Sequence, residues 1–344
     1  MKLIYDCIIY SLQHSGGISH SWSKLETHIK PDIRLLYRDC EENIFYPECL
    51  PSKKIINNGI PFLNRYKNIS LAEKPPFVFH SSYYRYCKNA ISITTVHDFI
   101  YEHFKKDMKS LVHKMQKRNA VYNSQGVILA SESTSKDFDS FFPDYKGKKR
   151  VIYVGIAPEY ANLAIPTKNN VIFVGGRTGY KNFEYAIKLM KKMTHLTLQI
   201  IGGGSLDKNE IIYLNKNIPG RYEHYQSISN KELNLKYNEA KYLLYPSLYE
   251  GFGVPVLEAQ AAGCPVICCC VSSLPEVAGD AALYISGKNI DDDIERISQL
   301  DDPKIYNVLI EKGLENSKKF TWKKCAEETY AFYEEVYDFY AGKE

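Results

Sequence analysis

The chain has no pair of cysteines at C-x-x-C spacing, so it lacks the minimal signature of a structural zinc site. Its nine Cys are an odd number, and Cys268-Cys269-Cys270 are consecutive. Neighbours on a strand point to opposite faces, so the triplet is not a disulfide framework. It reads as small apolar filling of a buried strand in a reduced protein. No apolar run reaches the length of a membrane span. An excess of one charge is also lacking: 44 Lys and Arg against 40 Asp and Glu leave a net +4. That is too mild to argue for nucleic acid, and no RNA- or DNA-binding motif is present. No repeat on the scale of roughly 20–50 residues is evident. Asp6 interrupts the apolar run of Met1-Lys2-Leu3-Ile4-Tyr5 too early for the core of a secretion signal. These absences point to a cytoplasmic protein. Tyr is abundant, at 28; with the many Lys, Asn and Ile, this reads as a base-composition bias of the gene.

The 344 residues suffice for two domains. In the first half, Leu3–Tyr10, Phe77–Ser81, Ile91–Val96, Val127–Ala130 and Val151–Tyr153 are predicted strands. Short apolar runs separated by helical patterns argue for a parallel sheet covered on both faces. Thr134-Ser135-Lys136-Asp137 fits a capping box after the fourth strand. Residues 39–76, rich in Pro, Asn and Lys, resist assignment and read as a loop facing an acceptor. A polar stretch, Ala161–Asn170, reads as a linker. Beyond it, Val171–Val174, Leu198–Ile201, Tyr222–His224, Leu243–Tyr245, Val266–Cys268 and Leu283–Ile285 form a second α/β series, and Thr321–Tyr340 a long terminal helix.

The most informative stretch is Tyr249-Glu250-Gly251-Phe252-Gly253-Val254-Pro255-Val256-Leu257-Glu258. Glu250 falls on a loop after the buried strand at Leu243–Tyr245, and Glu258 falls inside the helix that follows. Pro255 suits a first helical turn, where its missing N–H costs nothing. Gly263 and Pro265 end that helix. A helix N-terminus between two carboxylates offers free N–H groups and a positive dipole end. Such a place suits a ligand with hydroxyls at one end and phosphate in the middle.

This string resembles the Glu-x7-Glu motif of retaining glycosyltransferases with the GT-B fold, in particular glycosyltransferase family 4. The likeness extends to Pro246, Ser247, Gly263, Pro265-Val266 and Pro275-Glu276-Val277. It implies an α/β GT-B architecture, two Rossmann-like doubly wound domains facing across a cleft. Residues 1–165 would form the acceptor-side domain and 166–320 the donor-binding domain, with 321–344 crossing back to the first. It also implies a sugar moved with retention from a nucleotide-diphosphate sugar to a saccharide or lipid-linked saccharide acceptor. The expected setting is cell-surface polysaccharide or glycolipid synthesis, and mannose from GDP-mannose is the first expectation, with UDP-sugars close behind. No cofactor or essential metal is implied.

The resemblance also assigns roles. Arg177 and Lys181, in Phe173-Val174-Gly175-Gly176-Arg177-Thr178-Gly179-Tyr180-Lys181, would hold the donor diphosphate and stabilise the charge it gains as it leaves. Glu258 would accept from ribose hydroxyls and Glu250 from the donor sugar. Phe252, Gly253 and Val254 would offer backbone N–H groups, and Gly16-Gly17, after Ser15, would approach the diphosphate. His97, followed by Asp98 at a strand end, would face the donor sugar. By position alone, Tyr225-Gln226-Ser227, past a predicted strand, reads either as a border for the base or as a plain loop, and Ser131-Glu132-Ser133 either as acceptor lining or as a helix cap. The family's Asn-Gly pair reads Val154-Gly155 here, which puts any polar role of that position in doubt.

Other patterns carry less. Asp137-Phe138-Asp139 and Asp291-Asp292-Asp293 read as acidic helix starts rather than metal ligands. Ile201-Gly202-Gly203-Gly204 breaks the dinucleotide glycine pattern, which would place its third glycine at Asp207. The basic segment His103–Arg118 carries Met108, Leu111 and Met115 at helical spacing. It reads either as a helix lying on an anionic membrane at the inner face or as a domain helix with a solvated basic side. Two rival functions stand beside transfer: a nucleotide-sugar epimerase of the same fold, and a non-catalytic sugar-nucleotide-binding subunit.

Overall fold

A computed structural model describes residues 1–14, 16–177 and 179–342. The chain divides into two compact units, residues 1–155 with 321 onward, and residues 156–320. The division falls at Gly155/Ile156, ahead of the expected 165/166. The polar stretch taken for a linker is part of the second unit, because its backbone is tied to one helix. Ala161 N–H donates to Asn234 Oδ1 at 3.0 Å and Leu163 N–H to Asn238 Oδ1 at 2.7 Å.

The first unit is built on seven strands: β1 (Leu3–Asp6), β2 (Ile33–Tyr37), β3 (Lys53–Asn57), β4 (Val78–Ser81), β5 (Ile91–Val96), β6 (Gly126–Leu129) and β7 (Lys148–Val151). All pair in parallel, in the order β3-β2-β1-β4-β5-β6-β7. Side chains alternate between two cores as the pleat demands. Leu3 and Tyr5 face one cluster with Trp22 and Phe332; Ile4 faces the other with Leu35 and Phe79.

Several sequence expectations shift here. β1 stops at Asp6 rather than Tyr10, and Ile9–Leu12 coils into a short helix. The Asp6 carboxylate is buried and held by Ser81 Oγ at 2.7 Å and Arg85 at 3.2 Å. β2 escaped prediction because Arg34 interrupts its apolar pattern. That guanidinium is fully buried and paired with Glu26 at 2.8 Å, as a buried charge requires. β3 escaped because it is an edge strand with four of its five residues exposed. β7 sits at Lys148–Val151 rather than Val151–Tyr153. The helix after β6 is Glu132–Phe141, capped by Ser131, whose hydroxyl accepts from Thr134 N–H at 3.0 Å. Thr134 is therefore inside the helix, not its cap.

The terminal helix Trp322–Ala341 belongs to the first unit and packs on helix Gly17–Ile29 and on β5. Tyr333 anchors it: its hydroxyl lies 2.9 Å from that of Tyr5 and 2.6 Å from His80 Nδ1. Gly155 is explained by the same helix. A Cβ there would lie 2.2 Å from the Trp322 backbone nitrogen. The glycine is thus required by close backbone approach, whatever residue precedes it.

The second unit holds six parallel strands: β8 (Asn170–Val174), β9 (Thr197–Ile201), β10 (Tyr222–Tyr225), β11 (Tyr242–Tyr245), β12 (Val266–Cys269) and β13 (Ala282–Ile285). Their order is β10-β9-β8-β11-β12-β13. Cys268 and Cys269 fill the core of β12 as expected, whereas Cys270 leaves the strand and is exposed. In both sheets the order reverses beside the first strand, between β1 and β4 and between β8 and β11. Loops at the carboxyl ends of such strands diverge and leave a crevice for ligand.

Gly155→Ala is expected to destabilise the first unit by about 1–3 kcal/mol through overpacking. Urea unfolding of the variant checks this; an unchanged midpoint would contradict it.

Candidate functional site

The loops after β8 and β11, the two strands at the reversal, bring Lys181 and Glu250 together. Lys181 Nζ donates to Glu250 Oε1 at 2.7 Å and to the Tyr245 hydroxyl at 2.8 Å. Tyr245 ends β11, so the strand itself supplies the third member. Both charged side chains are largely buried, 13% and 9% exposed. Removing either would leave its partner uncompensated in a poorly solvated place. Burial, with the adjacent Glu250 charge, pushes the Tyr245 phenol well up, so it stays neutral and polar. An ammonium has three N–H groups. Two are engaged here, and the third has no protein partner among the described residues.

The loop carrying Glu250 is braced from the segment after β12. Ser272 Oγ accepts from Glu250 N–H at 2.8 Å, and Ser273 Oγ donates to the carbonyls of Glu250 and Phe252 at 2.9 and 2.8 Å. Helix Val254–Ala261 then starts at Gly253, whose φ of 104° lies in the left-handed region that favours glycine. With no side chain at that cap, the helix N-terminus has no side-chain acceptor of its own. Phe252 is buried against Phe320, ring centroids 5.9 Å apart, so only its backbone can serve a ligand.

Glu258 lies farther along this helix and is half-buried. Tyr237 donates to its Oε2 at 3.0 Å, and Tyr160 is a second hydrogen-bonding neighbour. Burial raises its carboxyl to about 7 despite these two donors. Its protonation therefore changes near neutrality.

Arg177, expected to hold the donor diphosphate, is engaged by groups of the protein. Nε and Nη2 grip Glu210 at 2.8 and 3.2 Å, Nη1 donates to the Gly202 carbonyl and Nη2 to that of Ser205, both at 2.8 Å. The side chain is 3% exposed. Hydrogen bonding from Arg177 holds the Glu210 carboxyl below the usual range. The loop it braces has three successive glycines with positive φ, Gly202, Gly203 and Gly204. A Cβ on Gly203 would meet Arg177 Nη1 at 2.5 Å. Those glycines, which match no dinucleotide pattern, serve to wrap a guanidinium.

The first-unit candidates sit apart from this group in sequence and on their own sheet. Gly16 and Gly17 open helix Gly17–Ile29 after β1; Ser15 and Thr178 lie outside the described residues. His97 follows β5 and lines a cavity within the first unit. Burial, then the Lys117 ammonium, pulls its imidazole down to about 4, so it is neutral at physiological pH. Asp98 turns to its own backbone, accepting from Ile100 N–H at 3.0 Å. Val154, where the family pattern has Asn, lines the same cavity. Met108 and Leu111 stand 76% and 50% exposed. Among the described residues no helix is long and apolar enough to cross a membrane, and no group of three or more His, Cys, Asp or Glu is placed to hold a metal ion.

Sequence reading missed Tyr245, Tyr237, Tyr160, Glu210 and the Ser272-Ser273 brace. Only the glycine run carried a local signal; the tyrosines were hidden in a tyrosine-rich chain.

The two parallel-sheet, Rossmann-like units are those of the GT-B fold. Over 98% of this chain the fold matches a sucrose-phosphate synthase from Thermosynechococcus elongatus with a TM-score of 0.70, at 14% identity and over 100% of that chain. Residues 158–316, almost the whole second unit, match the family described as glycosyl transferases group 1. Among relatives, the O-antigen chain mannosyltransferase B of Escherichia coli is 40% identical over 103 residues, which are 30% of this chain and 27% of that protein. The O-antigen chain mannosyltransferase RfbU of Salmonella typhimurium is 26% identical over 80% of this chain and 74% of its own length.

The Glu258 carboxyl gives a pH prediction. Its folded value, about 7, exceeds the ordinary 4.5. Its contribution to stability is therefore complete below about pH 4.5 and is lost as pH rises through 7. Glu258→Gln escapes that loss. Relative to wild type it should gain of order 1–3 kcal/mol between about pH 5 and pH 8. Urea unfolding at the two pH values measures this, and a pH-independent difference would contradict it.

Proposed function

We propose that the protein is a retaining hexosyltransferase. It moves a sugar from a nucleotide-diphosphate donor to an acceptor hydroxyl in surface-polysaccharide or glycolipid synthesis. Mannose from GDP-mannose is the favoured donor; the mannosyltransferase relatives support that choice. The observation that carries the reading is the Lys181–Tyr245–Glu250 cluster at the β8/β11 reversal, beside an uncapped helix N-terminus.

In this reading the third Lys181 N–H takes a phosphate oxygen of the leaving diphosphate. The N–H groups of Gly253 and Val254 take others, with the helix dipole adding to the field. Glu250, its Oε1 fixed by Lys181, directs its other oxygen to donor-sugar hydroxyls. Glu258 accepts from the ribose hydroxyls, a role the ionised form performs best. The sugar C1–O bond to phosphate breaks as the bond to the acceptor oxygen forms on the same face. The departing phosphate takes the acceptor proton, so no protein base is required. His97, neutral, and Gly16-Gly17 act on the donor from the first unit. Arg177 joins the diphosphate by exchanging Glu210 for a phosphate oxygen, a trade between two oxyanions for one fork. The protein works in the cytoplasm, against the inner membrane face where lipid-linked acceptors are held.

With GDP-mannose or a UDP-sugar and a saccharide acceptor, Lys181→Ala and Glu250→Gln should each lower kcat/KM by about 100- to 1,000-fold. A chelator should change nothing, and NMR of the product should show a retained anomeric configuration. Donor consumed without any acceptor, giving an epimerised nucleotide sugar, would refute transfer. Glu210→Gln separates the roles of Arg177. If Arg177 is exchanged onto phosphate, the variant binds nucleoside diphosphate at least as tightly as wild type. Weakening equal to that of Arg177→Ala would make Arg177 a loop brace only.

A further inference from the structure

The first unit encloses a cavity of about 820 Å3. Arg65, His113 and Gln116 line one wall, and each has a buried polar atom with no hydrogen-bond partner: Nε, Nδ1 and Oε1. They form a connected cluster. Gln116 Nε2 donates to the Arg65 carbonyl at 2.8 Å, and Arg65 Nη2 donates to the Tyr83 hydroxyl at 2.6 Å. The Arg65 guanidinium lies over the rings of Tyr83, Tyr66 and Phe62, at 4.9, 5.2 and 5.7 Å. His113 stacks on Tyr101 at 4.0 Å. Burial holds it neutral, down at about 3, so it serves as a hydrogen-bonding group rather than a second cation.

No carboxylate pairs with Arg65 among the described residues. The fully buried cations of the first unit do have such partners: Arg34 has Glu26, Arg85 has Asp6 and Lys117 has Glu102. A half-buried guanidinium with an unused N–H and no counter-charge is an anion site in waiting. Aromatic rings around it supply faces for a sugar or an alkyl chain. The cavity's rim continues the apolar character, since Phe62 and Met108 line it and are 59% and 76% exposed.

We propose that this wall is an acceptor subsite for an oxyanion, phosphate or carboxylate, carried on an amphiphilic saccharide, with Arg65 as the anion contact. The word acceptor rests on the transferase reading above; the binding does not.

Both tryptophans of the chain, Trp22 and Trp322, line the cavity, so intrinsic fluorescence reports its occupancy. Below their micellar concentrations, octyl phosphate should bind at least about ten-fold more tightly than octyl glucoside, a difference of about 1.4 kcal/mol. Arg65→Gln should abolish that preference and leave octyl glucoside binding in place, and Arg65→Lys should keep part of it. Equal binding of the two amphiphiles to wild type, or an unchanged preference in Arg65→Gln, would overturn the proposal. Should Arg65→Gln fail to fold by its thermal melt, Val112→Trp at the cavity lining provides the second test. It should block both amphiphiles, and undiminished binding overturns the proposal. Transfer to octyl glucuronide against the octyl diester of mannose 1-phosphate tells carboxylate from phosphate. A neutral octyl mannoside used as well as both would count against an oxyanion subsite. Anion-selective binding without any donor turnover would sink the transferase reading and leave the subsite standing.

Discussion

A lysine and a glutamate that cannot be solvated must neutralise each other, and the second unit is arranged around that requirement. Lys181 and Glu250 come from loops after β8 and β11, which are neighbours in space but lie 69 residues apart in the chain. Their pairing fixes the relative position of the two loops, and Tyr245 and the Ser272-Ser273 brace lock it further. A buried ion pair is weak evidence for stability, because desolvation offsets much of the attraction. Its better justification is preorganisation. An ammonium with one N–H left over, its partner carboxylate and a helix N-terminus without a side-chain cap are held in place before any ligand arrives, as electrostatic preorganisation requires.

The same economy of charge runs through the first unit, where Asp6, Glu26, Arg34, Arg85, Glu102 and Lys117 are buried in pairs. These pairs explain where sequence reading failed. β2 looked too polar because its Arg34 is answered by Glu26 from a preceding helix, and β1 ended early because Asp6 is answered by Arg85 from beyond β4. Partners so distant in sequence leave no local pattern. The second unit was far more legible. Its strands β8, β9, β11, β12 and β13 are short, apolar and bounded by glycine or proline, and all six strands fall within a residue of expectation at each end. The Glu250–Glu258 string was readable because loop, cap and helix follow one another directly along the chain.

What could not be read was how the candidate residues are occupied. Arg177 and Lys181 look equivalent in sequence, four residues apart, yet Arg177 is gripped by Glu210 and a glycine loop while Lys181 keeps a free N–H. Glu250 and Glu258 look equivalent too. One is neutralised by an ammonium, whereas the other faces only phenols and is driven up to about 7 by burial. Each pair divides into unlike members because burial and partners, not residue type, set what a charged group can do.

Calorimetry of GDP and UDP binding in the presence of a chelator, on wild type and on Lys181→Ala, tests the central claim most directly. The account predicts that wild type binds a nucleoside diphosphate and that Lys181→Ala, still folded, binds it at least about ten-fold more weakly. Failure of folded wild type to bind either nucleotide, or equal binding by the variant, would contradict it.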